Sequence, residues 1–358
     1  MLAITQSFKK VGILGSGQLA WLLNKSSKNL NIQTKVVGAK GDPAQKNSNE
    51  FLDSIEIDEI GAFFKDCDVL TLESEFHSVD FLRGIEKASG SHFHPRIENY
   101  ELINSKLKEK DLFKKYFEVI PFSTIANRFP CMMKHSSGGY DGYGNTIIYD
   151  QNQKIESSKE HFFEPLLDIK REIATIAFSN AKSIVVYPFV ETIQRNSQCF
   201  EVKMLSQKFE QLQNIIKTIM KDLEYVGSLA FEFIETKDGK IYFNETAPRV
   251  HNSFHLSSDC FDVSQFENHL RAITGLEILA PQAIGNFGGM INLSFQKDPS
   301  NLDLNFKNEK INVYNYHKSF RPNRKLGHIN YNADKKEDAW AMRNLILERI
   351  DKLGDTSL

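Results

Sequence analysis

The sequence predicts a chain of mixed α/β and α+β class: a doubly wound N-terminal unit, a strand-rich central region and a small C-terminal region. Three observations carry this reading. An apolar run, a glycine turn, an amphipathic stretch and a second apolar run succeed one another between residues 11 and 38. Runs at 173–178 and 184–190 are alternating or β-branched, and two apolar arms flank Asp238-Gly239 in the pattern of a tight hairpin.

In chain order, residues 11–14 form the first strand, Gly15 and Gly17 turn it into a helix, and 34–37 return as the second strand. A further buried strand at 68–72 ends in Glu73 and Glu75, at the edge where sheets of this kind collect ligands. His94-Pro95 and the charged helical stretch 99–117 mark the passage into the central region, because the residue before a proline is biased away from helix. Only twelve residues separate Pro121 from Lys134, enough for strands at 122–125 and 131–133 joined by Asn127-Arg128-Phe129-Pro130. Helices follow at 207–222 and 263–274, with the hairpin arms 228–234 and 240–243 between them. The resulting division is 1–98, 99–287 and 288–358.

Composition narrows the function. With 358 residues, 41% apolar and 25% charged, the chain buries a real core, and a formal charge of −2 leaves no global cationic field for a nucleic acid. No run reaches the roughly 18 apolar residues of a membrane span, and residues 1–10 lack a signal-peptide pattern, so the expected address is cytoplasmic. Cys67, Cys131, Cys199 and Cys260 lie far apart and read as packing residues.

Five groups of residues carry chemistry. Gly15-Ser16-Gly17-Gln18-Leu19-Ala20 fits a dinucleotide fingerprint, yet the second strand ends Val37-Gly38-Ala39-Lys40 without the acidic residue that holds a ribose. A phosphate of another ligand, or a packing role for the glycines, remains open. Lys134 stands at the base of a second glycine-rich loop, 138–144, whose amides suit a polyphosphate. Glu232 and Glu245 sit on the two hairpin arms among phenylalanines, where paired carboxylates call for a shared cation. Magnesium, which completes its shell with water and phosphate, suits two carboxylates. Arg249, His251 and Asn252 follow at once, a guanidinium, an imidazole and an amide fit for a planar anion, and the basic segment 318–325 suits a phosphate or a solvated surface.

These motifs resemble, in order and spacing, the 5-(carboxyamino)imidazole ribonucleotide synthase family of the ATP-grasp superfamily. The match runs through residues 11–20, Lys134 with 138–142, Asn244 to Arg249, His251 to Ser253, 264–273 and 324–328. The resemblance implies a Rossmann-like pre-ATP-grasp domain, a central ATP-grasp domain and a β-rich C-terminal domain. It implies ATP and Mg2+ as cofactors, bicarbonate and aminoimidazole ribonucleotide as substrates, reaction through carboxyphosphate, and a homodimer. It assigns Lys106 and Lys134 to the nucleotide phosphates, Glu164 and the backbone at Leu167 to adenine, and Glu172 to the ribose, with Gly139, Asn244 and Glu245 among the cofactor-binding residues and Asn244 beside the metal. Glu232 and Glu245 would hold the metal. Gln18, Glu73, Tyr140, Asp141, Ser253, Lys318 and Arg324 would meet the ribonucleotide, and Arg249, His251, Asn252 and Lys318 would serve the reaction.

Three departures accompany the match: Phe254 in place of a usual glycine, Asn145 in place of a usual glutamine, and the short 121–134 connection, which leaves no room for the family's additional helix. Phenylalanine adopts positive φ poorly, which predicts an altered approach of the His251 turn. The rival readings are an ATP-grasp ligase activating formate or another carboxylate, a catalytically silent nucleotide-binding protein, and a nicotinamide dehydrogenase.

Overall fold

The computed structural model describes residues 9–138, 144–153, 160–299 and 304–353. The chain begins with β1 (Lys9–Leu14), α1 (Gln18–Ser27), β2 (Ile32–Val37), β3 (Glu50–Leu52), α2 (Ile57–Phe64), β4 (Val69–Leu72) and α3 (Val79–Ser89). The four strands form a parallel sheet in the order β3-β2-β1-β4. All four residues of β4 are buried, as expected of a parallel strand covered on both faces.

The helical stretch expected at 99–117 is two helices, α4 (Ile97–Ile103) and α5 (Lys106–Phe113). Ser105 is extended between them, and the freed amide of Lys106 donates to the carbonyl of Ser136 at 2.8 Å. The break therefore ties the start of α5 to the strand that carries Lys134. Next come β5 (Cys131–His135), β6 (Asn145–Ile148) and β7 (His161–Pro165), a small antiparallel sheet in the order β6-β5-β7. The pairing expected between 122–125 and 131–133 does not form: Ser123 bridges Phe163 of β7, and β5 lies between β6 and β7.

The large antiparallel sheet uses β8 (Ile169–Asn180), β9 (Ile184–Val186), β10 (Val190–Arg195), β11 (Gln198–Met204), β12 (Val226–Thr236), β13 (Ile241–Ala247), β14 (Phe287–Ser294), β15 (Ile311–Asn315) and β16 (Lys325–Ala333). Its order is β13-β12-β8-β10-β11-β14-β16-β15, with β9 beside β8. The run expected as one strand at 184–190 is split around Pro188, which has no N–H for a ladder. Because β14 pairs with β11, the C-terminal strands continue the central sheet. Helices α6 (Glu210–Asp222), α7 (Ser257–Cys260), α8 (Gln265–Ile273) and α9 (Lys336–Asp351) complete the described elements. Phe113, Phe117, Phe231, Phe233 and Phe243 pack as one aromatic cluster that seats α5 on the β12–β13 hairpin. Among the described residues no helix is long and apolar enough to cross a membrane.

Buried His269 of α8 joins the first sheet to the large one. The Ser228 amide of β12 donates to its Nδ1 at 3.2 Å, so the proton sits on Nε2, which reaches Thr71 Oγ1 of β4 at 2.8 Å. Thr71 passes its own proton to the carbonyl of His94 at 2.9 Å. Replacing the ring strands these groups and opens a cavity. His269→Ala is expected to lower unfolding stability by about 3 kcal/mol in urea titration; a loss below about 1 kcal/mol would show that the joint is not a principal tie.

Candidate active site

A cavity of about 740 Å³ is walled by the end of β4, the start of α1, α5, the β12–β13 hairpin and the segment that follows it. At one end the first glycine loop wraps a carboxylate of the chain itself. A Cβ on Gly15, whose φ is +108°, would stand 2.7 Å from Glu73 Cβ, and one on Gly17 would stand 2.5 Å from Glu73 Oε1. The Leu19 amide donates to the same oxygen at 3.3 Å. The N-terminus of α1 thus serves an anion, as its unpaired amides favour, but that anion is Glu73. Lys318 reaches the same corner and donates to Gln18 Oε1. Burial raises the Glu73 carboxyl against the pull of Lys318 and Arg249, and burial lowers Lys318 to about 8.

At the other end lysines and carboxylates alternate. Lys106 Nζ lies 2.6 Å from Glu245, and Lys134 Nζ lies 2.8 Å from Glu164 and 3.2 Å from Asn244 Oδ1. Lys110 Nζ, one turn along α5 from Lys106, meets Glu164 at 2.5 Å. Burial pushes the Glu245 carboxyl up, but Lys106 and Lys134 outweigh it and hold it near 2. Glu109 accepts from the amide and hydroxyl of Thr246, and burial raises it to about 8. Glu172 accepts from Gln194 Nε2 at 2.8 Å, and burial raises it too.

The hairpin owes its chemistry to one irregularity. Glu232 pairs with Glu245 but Phe233 pairs with Phe243, so Asn244 is the extra residue of a bulge. Neighbours on a regular strand face opposite ways; the bulge lets both Asn244 and Glu245 line the cavity. Glu232 and Glu245 stand directly opposite, an unfavourable pairing of like charges that a cation relieves. Among the described residues no cluster of three or more His, Cys, Asp or Glu side chains forms a cation cage. Two oxygen-donor carboxylates on the wall of a cavity of about 740 Å³ nevertheless fit Mg2+, which takes the rest of its shell from water and phosphate.

Between the two ends lie Arg249, His251 and Asn252. Glu75 accepts from Arg249 Nε and, at 2.6 Å, from Nη2, so a carboxylate already occupies one edge of the guanidinium. Although burial raises Glu75, that arginine brings its carboxyl below the usual range. His251 Nδ1 accepts from the Ser253 amide at 3.4 Å and lies 2.8 Å from Ser253 Oγ, which leaves the proton on Nε2. Burial, with Arg249 adding to it, lowers His251 to about 4, so the ring is neutral at physiological pH.

Known proteins are similar to this chain in sequence and fold. The ATP-grasp domain family matches residues 99–266, the ribonucleotide synthetase preATP-grasp domain family residues 8–104, and the phosphoribosylaminoimidazole carboxylase C-terminal domain family residues 289–342. N5-carboxyaminoimidazole ribonucleotide synthase of Staphylococcus haemolyticus is 29% identical over 363 residues, covering 92% of this chain and 95% of that protein. Phosphoribosylaminoimidazole carboxylase of Candida glabrata is 30% identical over 365 residues, covering 90% of this chain; the chain spans 63% of that relative's length. N5-carboxyaminoimidazole synthase of Aspergillus clavatus, solved with ADP and 5-aminoimidazole ribonucleotide, matches with a TM-score of 0.84 and 25% identity over 96% of this chain and 99% of that one. The chain belongs to the N5-carboxyaminoimidazole ribonucleotide synthase family of ATP-grasp ligases.

Most residues that the sequence assigns to the family's site share the one cavity: Gln18 and Glu73; Lys106; Glu172; Glu232, Asn244 and Glu245; Arg249 to Ser253; Lys318 and Arg324. Gly139, Tyr140 and Asp141 lie outside the described residues. Glu164 is buried as the counter-charge of Lys110 and Lys134, and neither it nor Leu167 is a wall of the cavity; Lys134 is not a wall either, but its Nζ reaches the wall residue Asn244. Phe254 needs no positive φ: it lies in the helical turn Asn252–Phe254, fully buried, edge-on to Tyr187 at 5.9 Å. Asn145 opens β6 at the cavity wall. Cys199, read as packing, also lines the cavity, while Cys67, Cys131 and Cys260 are buried. Sequence reasoning missed Glu75 as a partner, Lys110, Gln194 and Glu109. The signal for Lys110 was its helical spacing from Lys106.

Lys318 carries a pH dependence with a definite sign. It is charged below about 8 and neutral above, whereas a free lysine stays charged to 10.5. Its attraction for an anionic phosphate is therefore present at pH 7 and lost as pH rises through 8. On the family's assignment of Lys318 to the ribonucleotide phosphate, the KM for the ribonucleotide is expected to rise between pH 7.5 and 9, and in Lys318→Arg that rise should vanish, since arginine keeps its charge. A KM flat with pH in the native enzyme would remove Lys318 from the phosphate.

Proposed function

We propose that this chain carboxylates 5-aminoimidazole ribonucleotide with bicarbonate, converting ATP to ADP and phosphate, as a step of purine nucleotide synthesis. The observation that carries the reading is one continuous cavity holding a lysine-and-carboxylate end for a polyphosphate, an Arg249-His251-Asn252 group for a planar anion, and a Lys318-Arg324 end for a ribonucleotide phosphate. The Aspergillus relative, solved with ADP and that ribonucleotide, supports the substrate.

In this reading Lys106 and Lys134 serve the nucleotide phosphates and Glu172 the ribose hydroxyls. Phosphoryl transfer needs mostly positioning and charge neutralisation, which these groups supply. Magnesium held by Glu232 and Glu245, with Asn244 beside them, would neutralise charge on the phosphate oxygens. A bicarbonate oxygen takes the γ-phosphoryl group to give carboxyphosphate. The exocyclic amine of the ribonucleotide then gains the carboxyl carbon, the C–O bond to phosphate breaks, and phosphate leaves carrying the proton that the amine gives up. Arg249 faces this anion with a charge, and neutral His251 offers its Nε2 proton as a donor. Gln18, Glu73, Tyr140, Asp141, Ser253, Lys318 and Arg324 hold the ribonucleotide. The divisions at 98 and 287, a homodimeric state and a cytoplasmic location belong to the same proposal, on the strength of the family resemblance.

ADP release is expected to require bicarbonate and ribonucleotide together, with formate unable to replace bicarbonate. Glu245→Gln should retain less than about a tenth of that turnover. Arg249→Ala should lower it about a hundredfold while leaving the ATP KM within about twofold. Formate-supported turnover, or collapse of ATP binding in Arg249→Ala with carboxylation preserved, would overturn the reading.

A further inference from the structure

Two buried amides behind the cavity hold the turn that carries His251 and Asn252. Gln265 of α8 grips the backbone: its Oε1 accepts from the His251 amide at 2.8 Å, and its Nε2 donates to the His251 carbonyl at 2.8 Å. Asn292 of β14, only 2% exposed, grips a side chain. Its Nδ2 donates to the Cys199 carbonyl at 2.8 Å and to Asn252 Oδ1 at 2.7 Å, and its Oδ1 accepts from Asn252 Nδ2 at 3.1 Å.

The order of constraint runs from backbone to cavity. A backbone carbonyl can only accept, so Asn292 must turn its nitrogen to Cys199. That choice fixes which atoms it shows Asn252, and Asn252 in turn must oppose nitrogen to oxygen and oxygen to nitrogen. Flipping either amide alone would set two carbonyls and two NH2 groups against each other, a buried mismatch. Asn252 is thereby locked with its carbonyl engaged and, among the described residues, one N–H unspent. Asn292 does not line the cavity, whereas Asn252 and Cys199, which it holds, both do; it grips the polar side chain of Asn252 and only the backbone carbonyl of Cys199, so Asn252 is the hydrogen-bonding group through which it acts on an anion.

We infer that Asn292 is the positioning residue of the planar-anion subsite, setting Asn252 as a hydrogen-bond donor matched to a carbonate-class anion, which offers acceptors. The inference rests on the bicarbonate reading of the cavity. It requires that Asn292 act on bicarbonate alone and only through Asn252.

The test is steady-state kinetics of the full chain with bicarbonate, ATP and ribonucleotide varied in turn, in native enzyme, Asn252→Ala, Asn292→Ala and the double variant. Asn292→Ala is expected to raise the bicarbonate KM about tenfold, the scale of one hydrogen bond to an anion, with the ATP KM within about twofold. In the Asn252→Ala background the same change should add nothing. Asn292→Ser, which keeps a donor for Cys199, serves the same comparison if the alanine variant does not fold. An unchanged bicarbonate KM, equal losses for ATP and bicarbonate, or additive effects in the double variant would overturn the inference. If Asn252→Ala shifts the bicarbonate KM and Asn292→Ala does not, the inference alone fails; if native turnover ignores bicarbonate, the reading beneath it fails as well.

Discussion

Two lysines share one buried carboxylate at the base of the cavity, and the geometry of the polyphosphate end depends on that arrangement. Glu164 of β7 lies between Lys110 of α5 and Lys134 of β5. Burial opposes the charges of Lys110 and Glu164, so neither is tolerable there without an opposite charge beside it. The same helix places Lys106 one turn earlier against Glu245 of β13. α5 is thus tied by charge to the small sheet at one turn and to the large sheet at the next, while Phe113 seats its apolar side 4.9 Å from Phe243. With both sheets referred to one helix, Lys106, Lys134, Glu164 and Glu245 keep fixed separations.

The opposite end is organised by acids of the first sheet rather than by lysines. Glu73 and Glu75 leave β4 two residues apart, and each takes a different partner. Glu73 sits in the glycine loop below Lys318, and Glu75 steadies Arg249. The Tyr100 hydroxyl lies 2.6 Å from the carbonyl of Glu75 and 2.7 Å from that of His77, pinning the segment that carries Glu75. A strand end of the pre-ATP-grasp unit therefore positions the charges that the central unit offers to an anion. This is how an open parallel sheet contributes to a site whose phosphate chemistry lies elsewhere.

Much of this was legible in the sequence, for reasons that differ by residue. Strands 11–14 and 68–72 carried their periodicity, and the Asp238-Gly239 turn its hairpin, because these signals are local. The run from Asn244 to Ser253 was legible through its density of chemistry and its family resemblance. The bulge at Asn244 was not, since it depends on which residue of β12 each residue of β13 meets. The first glycine loop was read for its shape, and its occupant, Glu73, lies more than fifty residues away. Residues 122–125 were assigned to the wrong neighbour because an isolated apolar stretch does not name its partner strand. Lone polar residues such as Glu75 and Asn292 carry no periodic signal; only the tertiary structure shows what they hold.

The central claim is that this cavity activates bicarbonate by phosphoryl transfer, and the fate of one oxygen tests it most directly. Turnover is run with freshly dissolved 18O-labelled bicarbonate, before exchange with water, and the released phosphate is analysed by mass. If a bicarbonate oxygen accepts the γ-phosphoryl group and the C–O bond later breaks, that oxygen leaves on phosphorus, and each phosphate carries one bicarbonate oxygen. Phosphate containing only oxygens from ATP and solvent, formed while carboxylated ribonucleotide accumulates, would contradict the account.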